Sequence, residues 1–159
     1  MKRIVALDPG GTTGWATWQD EATGHTGTPW DHFNIGQIGP EEHHLELYNW
    51  LGHLQVHDYT VVCESFEFRQ HDGERAGISL ISKEYIGVAK LFAAERMNGK
   101  RVVEQTAGQA KPFVTNDKLK VMGLYIPGKK HAMDAMRHLC LYLITREGRK
   151  DLVQSWRNL

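Results

Sequence analysis

The chain has 159 residues, of which 41% are apolar and 24% charged, with a formal net charge of zero. That length suits one domain with a real core, and the balance excludes a disordered or membrane-embedded chain. The charge is laid out unevenly: residues 1–80 carry four basic side chains against twelve acidic ones, and residues 81–159 carry fifteen against seven. Such a division fits an acidic, cation-collecting region beside a basic surface that meets phosphate.

Arg3 to Asp8 is a short aliphatic run closed by Pro9-Gly10-Gly11, which predicts a buried first strand with Asp8 at its end. Thr12 to Gln19, rich in Trp and Thr, predicts a second strand in a hairpin with the first. After a polar loop, Asp31 to Ile38 makes a third, so the early strands form an antiparallel meander. No targeting segment precedes them, since the run Ile4 to Leu7 is far too short to be one, and a cytoplasmic protein is expected.

Pro40, Glu41 and Glu42 open a helix, because proline is tolerated in a first turn and acids there complement the helix dipole. Its apolar stripe is expected to be Leu45, Tyr48 or Trp50, Leu51 and Leu54. Tyr59 to Cys63 then reads as a buried strand, followed at once by Glu64, with a charged loop from Phe66 to Gly77. Ile81, Tyr85, Val88 and Phe92 recur at helical spacing, so a long helix runs to about Met97 before Asn98-Gly99 stops it. Arg101 to Gln105 is the fifth strand, and Ala107 to Met122 forms one or two short helices. Pro127-Gly128 breaks the chain before a last helix from about Lys130 to Arg146, ended by Gly148.

These elements predict a single α/β domain over residues 1–159. Its mixed five-stranded sheet has the first three strands antiparallel and helices on both faces. Cys63 and Cys140, each in an apolar run, read as buried hydrophobes rather than a disulfide. His43, His44, His53 and His57 lack zinc-site spacing and are expected at surface or capping positions.

Asp8 and Glu64 each end an apolar strand, so their carboxylates can meet at one sheet edge. His131, Asp134 and His138 share one face of the last helix, with Met133, Met136, Cys140, Leu143 and Ile144 on the core side. Converging carboxylates repel one another unless cations neutralise them, and oxygen ligands select Mg²⁺ or Mn²⁺. Two such ions roughly 3.5 to 4 Å apart support in-line phosphodiester hydrolysis.

Ile4-Val5-Ala6-Leu7-Asp8-Pro9-Gly10-Gly11-Thr12-Thr13-Gly14-Trp15-Ala16 resembles the opening motif of RuvC-type Holliday junction resolvases, of the ribonuclease-H-like superfamily. Val61-Val62-Cys63-Glu64 is similar to their second acidic strand, and His131-Ala132-Met133-Asp134-Ala135 to their closing helix. The order and spacing span nearly the whole chain, and compact phage-encoded members are the most alike. The resemblance implies a ribonuclease-H-like fold and a homodimer, in a bacterial or phage-infected bacterial cell, that nicks opposed strands of a four-way DNA junction. It implies two Mg²⁺ ions, with Mn²⁺ as a substitute, on Asp8, Glu64 and Asp134. His131 would be a ligand or handle a proton, and His138, a turn deeper, would pack or hydrogen-bond.

Gly108-Gln109-Ala110-Lys111 resembles the family segment whose lysine approaches backbone phosphate. The basic surface is expected to draw on Arg69, Arg75, Lys111, Lys118, Lys120, Lys129 and Lys130. Phe66 or Phe68 would stack on bases at the branch. The glycine turn after Asp8 is one residue shorter than in typical bacterial members, and the aromatic after Glu64 has shifted. Rival readings are a flap, fork or RNA–DNA hybrid nuclease on the same fold, and a junction-binding module without catalysis. A third is a sugar-kinase or actin-like phosphate loop at Asp8 to Gly14, which needs two lobes where this chain has room for one.

Overall fold

The computed structural model describes residues 1–21, 24, 27–39, 43–66 and 76–158, with backbone alone at 76–79 and 158. Five strands form one sheet: β1 (Lys2–Asp8), β2 (Thr13–Gln19), β3 (Phe33–Ile38), β4 (Asp58–Glu64) and β5 (Val103–Gln105). Their order across the sheet is β3-β2-β1-β4-β5. β1 pairs antiparallel with β2, and β2 with β3, while β4 runs parallel to both β1 and β5. The expected mixed sheet with an antiparallel first half is present.

The helices are α1 (His44–Leu54), α2 (Ala76–Arg96), α3 (Ala107–Phe113), α4 (Asn116–Val121), α5 (Lys130–Thr145) and α6 (Asp151–Gln154). They cover both faces, and strand alternation divides the core accordingly. Ile4 and Ala6 of β1, Ala16 and Trp18 of β2 and Val62 of β4 pack beneath α5 with Met133, Met136, Leu139, Cys140 and Leu143. Val5, Leu7, Val61 and Cys63 face the other way, against Leu47 and Leu51 of α1 and Tyr85, Ala89 and Phe92 of α2. Both cysteines are buried and free.

Several local expectations need correction. Leu45 stands exposed, and the buried residues of α1 are Leu47 and Leu51. Leu45 lies about 200° around the helix from Leu47, so both cannot face the sheet. In α2 the buried line is Tyr85, Ile86, Ala89, Phe92 and Ala93, with Ile81 exposed at its end. His43 is buried, its Nε2 3.2 Å from Thr13 Oγ1, its Nδ1 3.2 Å from the Tyr85 hydroxyl, and its ring stacked on Tyr85. It thus bridges β2 and α2 from the N-cap position of α1, where its side chain makes no capping hydrogen bond, and it is not a surface group. The third strand starts at Phe33, after a 3-10 turn at Pro29–Asp31. Past Gly148 the chain continues as α6 and a 3-10 turn, with Leu152 and Trp156 packed on the α5-side core. The expected helix start at Pro40 to Glu42 lies outside the described residues. Among the described residues no helix is long and apolar enough to cross a membrane.

Candidate active site

Register and parity bring the two strand-end acids together. Leu7 of β1 is paired with Cys63 of β4, so Asp8 and Glu64 are the next neighbours across the parallel ladder. Both share the parity of Ala6 and Val62, which face α5, so both carboxylates project onto that side. α5 lies there because its apolar residues fill the sheet's groove, and this carries His131, Asp134 and His138 over the strand ends.

The approach is close because Gly14, opposite Asp8 in the β1–β2 ladder, has no side chain. A Cβ there would stand 2.1 Å from the carbonyl carbon and oxygen of His131. His131 Nδ1 lies 2.9 Å from Asp8 Oδ2. Further along α5, the fully buried His138 places Nε2 2.8 Å from Glu64 Oε2 and Nδ1 3.0 Å from Gln105 Oε1 of β5. A carboxylate only accepts, so each imidazole donates to its acid.

Asp134, buried on the same face, is held from two sides. Arg137, one turn on, donates to Asp134 Oδ1, to Asn116 Oδ1 and, at 3.1 Å, to the Val114 carbonyl. Lys111 Nζ stands 3.2 Å from Asp134 Oδ2 and 4.0 Å from Glu64 Oε2. Lys111 comes from the last turn of α3, whose start is fixed by a capping box between Thr106 and Gln109.

Burial raises the pKa of Asp8, repulsion from Glu64 adds to this, and despite the His131 hydrogen bond the carboxyl is pushed up to about 6. Burial acts in the same direction on Glu64, but the hydrogen bond and charge of His138, followed by Lys111, leave it below the ordinary glutamate value. The acids therefore sense one another as a crowded anionic cluster. Among the described residues no three His, Cys, Asp or Glu side chains stand close enough to hold a metal ion as they are arranged. Each carboxylate is paired instead with a cationic or imidazole group of the protein. The donor types still suit a hard divalent cation: carboxylate oxygens are the ligands such an ion takes, and an ammonium already stands between those of Glu64 and Asp134.

The other expected residues are spread more widely. Phe66 is half-buried against the α1–α2 core, with Lys83 Nζ 4.9 Å above its ring. Lys118 Nζ donates to the Phe113 carbonyl at 2.8 Å and lies 4.3 Å over the Trp156 ring, while Lys120 pairs with Asp117 at 3.0 Å. Lys129 and Lys130 are exposed at the start of α5, lining a hollow with Asn116, Tyr125 and Arg137. Phe68, Arg69 and Arg75 lie outside the described residues.

Sequence reasoning missed Arg137, Asn116, Gln105 and Gly14. Arg137 carried a signal, since Asp134 and Arg137 form an i,i+3 pair. Asn116 and Gln105 carried none, because their roles depend on which elements become neighbours.

A comparison with protein-family models finds no match, and a comparison with curated proteins finds none either. Solved structures do match. Thermus thermophilus RuvC in complex with a Holliday junction substrate superposes with a TM-score of 0.61 at 17% identity, covering 94% of this chain and 98% of that one. A second Thermus thermophilus RuvC structure gives 0.56 at 19% identity, covering 92% and 96%. The chain has the RuvC fold. The likeness in fold extends over almost the full length of both chains.

Proposed function

We propose that this protein is a structure-selective DNA endonuclease that resolves Holliday junctions by metal-dependent phosphodiester hydrolysis. The observation that carries this reading is the convergence of Asp8, Glu64 and Asp134 on one sheet face beneath α5, in a chain with the RuvC fold. One of the similar structures is described as a complex with a Holliday junction substrate.

Asp8, Glu64 and Asp134 would hold two Mg²⁺ ions, or Mn²⁺ in their place. When bound, these supply activation of water and stabilisation of the departing 3′ oxygen in an in-line displacement. The chain's own groups set the geometry. His138 orients Glu64 from a fully buried position, and Arg137 orients Asp134 with its side chain 12% exposed. His131, half-exposed beside Asp8, either adds a ligand or receives the proton of the attacking water. Lys111 stands beside the acids with its side chain half-exposed, and Lys129 and Lys130 are exposed at the start of α5, all three suited to the phosphate backbone. Nicking two opposed strands requires two such sites, so the working form is a homodimer.

The reading is tested with labelled four-way junctions, flaps, forks, linear duplex and RNA–DNA hybrid. Symmetrical nicking of the junction with Mg²⁺ is expected, and equal cutting of linear duplex would reject junction selectivity. Preference for a flap, fork or hybrid would transfer the same chemistry to that substrate. Asp8→Asn, Glu64→Gln and Asp134→Asn should each reduce cleavage at least a thousand-fold while junction binding persists in gel shifts; a variant that still cuts removes its residue from the mechanism.

A further inference from the structure

The two cations on Asp134 are anchored differently. The Arg137 side chain is only 12% exposed and is tied to the Val114 carbonyl and Asn116 as well as to the acid. Leaving would strand a backbone acceptor and a buried carboxylate. The Lys111 side chain is 46% exposed and stands between Asp134 and Glu64 on a flexible stem. The pair is exposed at its lysine end alone, Asp134 being 9% and Glu64 19% exposed, so departure returns the ammonium to water at little cost while the two carboxylates then call for another cation.

We propose that Lys111 is an exchangeable counter-ion of the acidic site. Without a divalent ion, its ammonium neutralises Glu64 and Asp134 and keeps the two carboxylates facing a common point. Uptake of a divalent cation by the same oxygens displaces the ammonium, which then faces solvent and a backbone phosphate. Arg137 stays in place throughout and preserves the orientation of Asp134. Lys111 and the ion thus compete, and a phosphate that draws Lys111 away removes the competitor, so ion and DNA binding reinforce one another. The identity of the ion rests on the nuclease reading above; the competition rests on the two ion-pair distances.

The test is calorimetric titration of Mn²⁺ into the DNA-free protein, for wild type, Lys111→Met and Lys100→Met. Methionine keeps the stem of Lys111 and removes its charge. Lys100, whose ammonium lies 3.4 Å from Asp58 at the opposite end of β4, loses the same charge far from the site. Lys111→Met should bind Mn²⁺ about five-fold more tightly than wild type, and Lys100→Met should match wild type. Equal or weaker binding by Lys111→Met, or the same gain in Lys100→Met, overturns the exchange while leaving the nuclease reading intact. Failure of the folded wild-type protein to take up Mn²⁺ at all overturns both.

Discussion

Asp8 is the residue at which the proposed function opposes stability. Burial and the neighbouring Glu64 charge raise its pKa to about 6, above the value near 4 of an unfolded chain. Because the folded value is the higher one, the ionised carboxylate costs stability above pH 6, and that cost disappears as the pH falls from about 6 to about 4. Two pKa units correspond to about 3 kcal/mol at most. Glu64 has the opposite sign: its pKa is lowered, so its contribution is present above the unfolded value and is lost as acid protonates it. The metal-free protein should therefore be most stable on the acid side of neutrality, falling off again below about pH 4. Asp8→Asn removes the charge and should raise the melting temperature in EDTA at pH 8 by about 5 °C, with the gain vanishing near pH 4. Thermal unfolding at the two pH values checks this, and identical melting of the two proteins at pH 8 would mean that Asp8 is not under electrostatic strain. The substitution expected to abolish cleavage should thus stabilise the fold, as where like charges are held together for a ligand.

Among the elements, the β2–α5 contact decides whether the site assembles. Gly14 lets the backbone of His131 lie against β2, and no rotamer change can make room for a Cβ 2.1 Å from a carbonyl group. Gly14→Ala should lift the first turn of α5, part the His131–Asp8 pair and cost about 3 kcal/mol in urea unfolding, with cleavage lost even in the folded fraction. Gly36→Ala is the comparison, since its Cβ would meet the Trp15 ring at 2.3 Å on the far side of β2, where a side chain rather than a helix gives way. Wild-type cleavage by Gly14→Ala would show that α5 does not need this approach. The strands and long helices were legible in the sequence because alternation and helical spacing are local, and Asp8 and Glu64 were legible because each interrupts an apolar run. Their common face followed from parity once the β1–β4 register was known. What escaped depends on neighbours brought from afar: Gln105 behind His138, Asn116 beside Arg137, and His43 drawn into the core by Thr13 and Tyr85. Leu45 was misread because an apolar residue can be assigned to a stripe before the helix phase is known.

At the scale of the molecule, one copy presents one acidic site, and cutting two opposed strands calls for two sites held at a fixed separation. For the proposed dimer, α2 is the surface to test. Leu80, Gly87, Leu91 and Ala94 follow one another by seven, four and three residues, and all four are exposed, on the side turned away from the buried Tyr85 and Phe92. A Cβ at Gly87 would meet nothing within 4 Å, so the middle of the line is open to a close-packed second helix. Apolar side chains aligned on one helix face are the arrangement that favours association. Leu91 is 54% exposed, so a charge there should cost the isolated fold less than about 0.5 kcal/mol. Placed in the middle of an apolar helix pair, the same charge would go unpaired and separate the copies. Leu91→Glu should therefore sediment as a monomer where wild type sediments as a dimer, keep its melting curve when diluted, and retain Mn²⁺ uptake. On a four-way junction it should leave singly nicked products, because the second strand must wait for an independent encounter. Unchanged sedimentation of Leu91→Glu would move the interface elsewhere, and a wild-type monomer that still nicks both strands in one binding event would show that paired cutting needs no second copy.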